Sequence, residues 1–175
     1  RGFRRNLSLP FEFVLFTDRP RSFREPAIQQ RLLRLDRAPD YGSCVEPFSL
    51  DRPMIFVGLD TIILKNIDKL ARWALEHPGA LALPKHPYED WSINGVVLFG
   101  GGNPAIFRDW GWEDDMQWLR SFPHHRIHEL WKGKVVSYKA HAARGLPPSA
   151  RIVYFHGNPK PNELSHLPWV KESWR

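Results

Sequence analysis

The sequence predicts an α/β fold, and three stretches carry that prediction. Residues 54–57 (Met-Ile-Phe-Val) and 62–64 (Ile-Ile-Leu) are short continuous apolar runs, as expected of strands buried on both faces. Directly after them, Asn66-Ile67-Asp68-Lys69-Leu70 reads as an Asn cap opening a helix that runs to about Glu76. Residues 10–18 are aromatic and β-branched, end in Thr17-Asp18 and stop before Pro20, which is a strong strand pattern.

The remaining elements follow in order. Residues 1–8 are basic and read as the end of a helix or a linker into the first strand. Residues 19–26 form a Pro- and Arg-rich loop, and residues 28–35 alternate around Leu32, Leu33 and Leu35, which predicts a strand. Residues 38–50 contain Pro, Gly, Ser and Cys and predict a loop with a helical turn near residues 45–48. After the organising runs and the Asn66 helix, His77-Pro78-Gly79 stops that helix, and residues 80–83 form a brief strand. Residues 85–92 are a polar, aromatic loop. Residues 93–99 (Ile-Asn-Gly-Val-Val-Leu-Phe) form a strand leading into Gly100-Gly101-Gly102. These glycines lack phosphate-loop spacing and a following Lys-Ser/Thr, so they predict a tight turn. Pro104 opens a short helix through Trp110. Residues 112–122 form another, with Glu113, Asp114 and Asp115 in its first turn, where the helix dipole favours acids. Residues 135–138 and 151–155 are late strands separated by a Pro-rich turn at 145–148, and the Pro-rich tail reads as irregular. Nothing repeats and nothing marks a boundary, so residues 1–175 read as one domain.

Composition narrows the classes. A chain of 175 residues is long enough for one domain with a substantial core. The formal net charge of +6 is consistent with a polyanionic ligand such as a nucleotide diphosphate, a nucleic acid or an anionic surface. The arginines are scattered rather than clustered, which argues against nucleic acid. The single Cys44 excludes an internal disulfide and a Cys-based zinc site, so a reducing, cytoplasmic setting is the expectation. No run approaches the roughly 18 to 20 apolar residues of a membrane span, and the first residues lack the apolar core of a signal peptide. The chain begins without Met, and a preceding segment in the native protein is expected.

Two elements can carry chemistry. Asp60 lies between two apolar runs, where a carboxylate is costly unless a cation or hydroxyls face it; a turn-forming or capping Asp is the plainer alternative. His156 follows the last apolar strand, within Tyr154-Phe155-His156-Gly157-Asn158-Pro159-Lys160-Pro161. Gly157 lets the backbone approach a ligand, and Lys160 offers a point charge for phosphate. An Asp and a His converging on Mn²⁺ or Mg²⁺, with diphosphate oxygens as further ligands, is sensible coordination chemistry. Taken alone, His156 reads as a hydrogen-bonded structural residue. Thr17 and Asp18 close a strand at the end where open α/β sheets bind ligands, or form a simple turn before Pro20. His124, His125 and His128 lack an acidic partner in helical register and read as an exposed loop. His141 follows a strand, and nothing further supports a substrate role for it.

Four stretches, taken in order, resemble the A-type glycosyltransferase fold: residues 5–18, 55–70, 94–99 and 153–161. Within that fold they are similar to glycogenin-like and lipopolysaccharide-galactosyltransferase-like enzymes and their phage and bacterial relatives. The resemblance implies a single Rossmann-like nucleotide-diphospho-sugar transferase domain with a mixed central sheet. It implies a nucleotide-sugar donor, a UDP-sugar first among them, a glycan or other hydroxyl acceptor, and Mn²⁺ or Mg²⁺ held by an Asp-x-Asp motif and a late His. Asp60 matches the second Asp of that motif and His156 the late His. Lys160 matches a lysine on the donor diphosphate, and Asn94 and Gly95 match a segment near the sugar. Asp114 or Asp115 falls where an acid near the transferred sugar or acceptor is expected, and Thr17 and Asp18 fall near the base and ribose. Two departures stand out: Gly58 replaces the motif's first Asp, and the family's first strand would lie before Arg1. The expected activity is metal-dependent hexosyl transfer. A catalytically impaired nucleotide- or glycan-binding relative and a basic nucleic-acid-binding module are the alternatives.

Overall fold

The computed structural model describes residues 1–23, 27–34, 40–111 and 114–174. One pairing organises them. β3 (Pro53–Val57) and β6 (Val96–Gly100) run antiparallel, with Pro53 opposite Gly100 and Val57 opposite Val96. β6 is buried at every position, as its unbroken apolar run requires. β5 (Leu81–Leu83) pairs antiparallel with β6, and β7 (His125–Arg126) pairs parallel with β5, giving the order β3-β6-β5-β7. A second sheet has β9 (Ile152–Tyr154) between β4 (Ile62–Ile63), antiparallel to it, and β8 (Val135–Ser137), parallel to it. β1 (Phe13–Thr17) and β2 (Ile28–Leu32) form a separate parallel pair.

The fold is therefore α/β with mixed sheets, but the single central sheet expected from the sequence is divided. The division occurs at Gly58-Leu59-Asp60-Thr61. Thr61 N donates to Gly58 O at 3.1 Å, closing a turn that takes the chain from the sheet of β3 to the sheet of β4. The two mixed sheets still share one core. Ile63, Ile152 and Tyr154 from one sheet and Ala82, Val96 and Leu98 from the other belong to the same buried cluster.

α2 (Asp68–Glu76) seals that cluster with Leu70, Trp73 and Ala74. Burying Leu70 and Trp73 contributes on the order of 2 kcal/mol each. Its cap residue is Ile67 rather than Asn66, although Asn66 Oδ1 still accepts from Asp68 N at 3.1 Å. α1 (Gly2–Asn6) is tied to β4 by Asn6 Nδ2, which donates to Ile63 O at 3.1 Å. α3 (Ala105–Arg108) follows Pro104 as expected. α4 (Asp115–Ser121) has Asp114 as its cap, with the carboxylate accepting from Gln117 N at 2.8 Å, so this acid does the helix-end work its position predicts. The start expected at residues 112–113, including Glu113, lies outside the described residues, as do residues 24–26 of the first loop and Leu35 of the second strand.

Several elements were not foreseen. The helical turn expected near residues 45–48 is part of a longer 3-10 helix, Tyr41–Leu50, that takes most of the expected loop, because Val45 and Phe48 are wholly buried and hold it in place. Tyr138 leaves the expected strand for a π-type turn, Tyr138–Ala142, whose N-terminus Ser137 caps by accepting from Ala140 N. The stretch after Phe122, expected as a loop, holds β7 and α5 (Ile127–Leu130), anchored by the fully buried Ile127. The tail is not irregular throughout: it contains a 3-10 turn, Pro161–Leu164, and α6 (Pro168–Ser173), which buries Val170. No helix among the described residues is long and apolar enough to cross a membrane.

The triple glycine is a tight turn, as its spacing predicts. Gly101 and Gly102 have φ of 70° and 73°, and a Cβ on Gly100 would lie 1.9 Å from His77 O. Backbone cannot yield as a side chain can, so Gly100→Ala should destabilise the chain by about 2–4 kcal/mol. Urea denaturation monitored by tryptophan fluorescence measures it, and a loss below about 0.5 kcal/mol would contradict the packing described here.

Candidate functional site

The strand ends converge at the junction of the two mixed sheets. β3 delivers Gly58 and Asp60 at its C-terminal end, and Asn94-Gly95 enter the antiparallel β6 beside it. β9 delivers His156 and Gly157, and the parallel β8 delivers Ser137 and Lys139 at the same end. Gly95 is needed at the crossing, since a Cβ there would lie 3.1 Å from the Tyr154 ring. Thr61 Oγ1 also reaches Gly95 O, at 3.5 Å.

Across this junction, 100 positions apart in sequence, Lys160 Nζ pairs with Asp60 Oδ2. Both side chains are about one-third exposed, at 38% and 31%, so the pair is open to solvent rather than sealed in the core. The carboxylate placed between two apolar runs thus has the cation that its position calls for.

His156 lies within electrostatic reach of Lys160. Its Nδ1 is 3.3 Å from Ser137 Oγ, and Ser137 is fully buried. Partial burial, and then the charges of Lys139, His86 and Lys160, hold its imidazole below the usual histidine pKa. The His86 ring centroid is 6.2 Å away and that of Tyr88 6.3 Å. Both belong to the loop after β5, which is pinned where Asp90 meets Lys85 and Arg126 and where His86 N donates to Trp91 O. Lys139 Nζ sits over Gly157, 3.0 Å from where a Cβ on that glycine would be, and Gly157 has φ of 61°.

A buried polar cluster adjoins Asp60. Asp115 is 2% exposed; Asn94 Nδ2 donates to its Oδ2 at 2.5 Å, and Met116 N to its Oδ1 at 2.9 Å. Burial nonetheless pushes the Asp115 carboxyl up. Cys44 is half-buried here; desolvation first, then Asp115, Asp40 and Asp60, push its thiol up to about 12.

The structure therefore gathers Asp60, Asn94, Gly95, Asp115, His156, Gly157 and Lys160 at one sheet junction. Asp114 caps α4 beside them. Thr17 and Asp18 bond within their own loop: Thr17 Oγ1 donates to Arg19 O at 3.0 Å, and Asp18 Oδ1 accepts from Arg21 Nη2 at 2.7 Å. The sequence alone marks none of His86, Lys139 and Cys44 as a site residue. Lys139 stands two residues beyond β8, at the strand end where ligands gather, and that was the available signal. A groove of 310 Å³ lined by Arg4, Phe11 and Phe13 contains none of these residues. His124, expected to be exposed, is half-buried and bonds Phe122 O and Ser92 Oγ, both at 2.9 Å.

Asp60 and His156 were the expected ligands of Mn²⁺ or Mg²⁺. As placed they do not fit a resident ion: Gly58 supplies no carboxylate, Asp60 Oδ2 is engaged by Lys160, and the charges acting on His156 are cationic. A divalent ion suits these groups only when a ligand's phosphates cancel its charge. Comparison with known proteins gives no match, either to a family model or to a curated protein.

Two outcomes follow from this geometry. Cys44 should react with a thiol reagent at pH 8 at least about a hundredfold more slowly in the folded chain than in denaturant, because raising its pKa leaves it protonated there. Equal rates would refute the burial and charge described around it. Asn94→Ala removes a donor from a buried carboxylate and should destabilise the chain by about 1–3 kcal/mol, measured by denaturant titration.

Proposed function

We propose that the chain is a nucleotide-diphospho-sugar transferase of Rossmann-like, A-type architecture, transferring a hexosyl group from a UDP-sugar or related donor to an acceptor hydroxyl. The observation that carries the reading is the Asp60–Lys160 pair at the strand ends, with His156 beside it. Asp60 and Lys160, both matched to the donor site on sequence grounds alone, meet although 100 positions separate them.

In this reading Lys160 turns from Asp60 to the donor's diphosphate, and the surrounding positive charge stabilises the leaving group. The acceptor oxygen bonds to the anomeric carbon while the bond from that carbon to the diphosphate oxygen breaks. The electron pair leaves with the nucleoside diphosphate, and the hydroxyl proton passes to a carboxylate or water. Asn94-Gly95, held by Asp115, borders the sugar, and the acceptor approaches from the α4 side. Gly58 and the engaged Asp60 favour a second reading, a relative that binds the donor without turning it over.

Calorimetric titration with UDP in the presence of Mn²⁺ tests the reading. UDP should bind, and Lys160→Ala and His156→Ala should each weaken it about tenfold or more. Absence of UDP binding would sink both readings. Release of UDP from UDP-hexose would select the enzyme over the binder.

A further inference from the structure

We propose that Lys139, Lys160 and His156, with His86 behind them, form a site that binds a diphosphate directly, without a metal ion. The inference rests on placing the phosphate-bearing part of the ligand at this strand-end cluster. It adds a residue, Lys139, and a mode of binding.

Four observations carry it. First, Lys139, Lys160 and two histidines converge; Asp60 pairs with Lys160 Nζ, and the Glu163 carboxylate is taken up by Lys160 N at 2.9 Å. Among the described residues Lys139 has no ion-pair partner, so its charge stands over Gly157 uncompensated. Second, the glycine backbone leaves the space beside Lys139 Nζ free of any side chain on that residue.

Third, the histidines are set as donors. His86 Nδ1 accepts from Tyr88 N and Glu89 N, at 3.3 and 3.1 Å, which places its proton on Nε2. Ser137 Oγ accepts from Ala140 N at 3.4 Å and lies 3.3 Å from His156 Nδ1. We assign the Ser137 hydroxyl as donor to Nδ1, which leaves His156 Nε2–H as a donor. A donor nitrogen suits an anion; a metal needs the lone pair there. Fourth, the groups come from the ends of two paired parallel strands and the loop after β5, so their spacing is fixed before a ligand arrives. Asp60 then competes with the anion for Lys160.

The sign of the Asp60 effect makes the proposal testable. Sodium pyrophosphate and UDP are titrated calorimetrically into the full chain in EDTA, then in Mn²⁺, beside Lys139→Ala, Lys139→Arg, Asp60→Asn and His156→Gln. Lys132→Ala, an exposed lysine outside the site, is the control. In EDTA pyrophosphate should bind; Lys139→Ala should weaken it about tenfold, and Lys139→Arg should restore most of the loss. Asp60→Asn should tighten it severalfold by releasing Lys160, and His156→Gln, which keeps a donor, should retain most of the binding. Thermal melts confirm that each variant is folded.

Pyrophosphate binding that requires Mn²⁺, or that Asp60→Asn abolishes, would overturn the proposal in favour of a metal-held diphosphate. Equal losses in Lys139→Ala and Lys132→Ala would overturn it in favour of diffuse surface charge. Pyrophosphate bound as tightly as UDP would leave the anion site standing and count against the nucleotide-sugar reading alone.

Discussion

The antiparallel pairing of β3 with β6 is the constraint on which the rest of the structure depends. Its register is held by apolar residues on both strands and by Gly100, where the backbone at His77 crosses too closely for any side chain. That register sets Gly58-Leu59-Asp60-Thr61 beside Asn94-Gly95. The turn there moves the chain into the neighbouring sheet, and β9 brings the last strand end alongside. The Asp60–Lys160 pair lies where one sheet stops and another starts within four residues, over a buried cluster that both sheets share.

The electrostatics of that junction follow from its position. A carboxylate at the edge of two apolar runs is held by the lysine that crosses to it, and partial burial together with Lys139 and Lys160 holds the His156 imidazole toward its neutral form. Half-buried charges at such a junction are screened less than those on the open surface. Asp115 stands apart from this balance. Its donors come from Asn94 and the backbone, and its burial makes it a structural anchor for the segment leading into β6.

Much of the scaffold could be read from residues. The apolar runs at 54–57 and 62–64, the strand before Pro20, the helix after Asn66 and the glycine turn all occupy their expected places. Asp60, His156 and Lys160 could be named because each sits where an apolar run ends. The full length of the 3-10 helix at Tyr41–Leu50, beyond its turn at 45–48, could not be, nor could β7, α5 and α6. These elements are short, and contacts with distant parts of the chain stabilise them. Val45 and Phe48 pack against Leu81 and Phe99, which no local pattern announces.

By itself the sequence determined the α/β alternation, the polarity of each strand end and the types of side chain available there, because apolar period, caps and glycines act over a few residues. The tertiary structure decided that the expected single sheet is two mixed sheets and a separate parallel pair. It also decided that Lys160 meets Asp60 and that Lys139 and His86 join His156. Those meetings depend on how strands with little local pattern pack over a shared core. Residues up to 100 positions apart become neighbours only when that core forms.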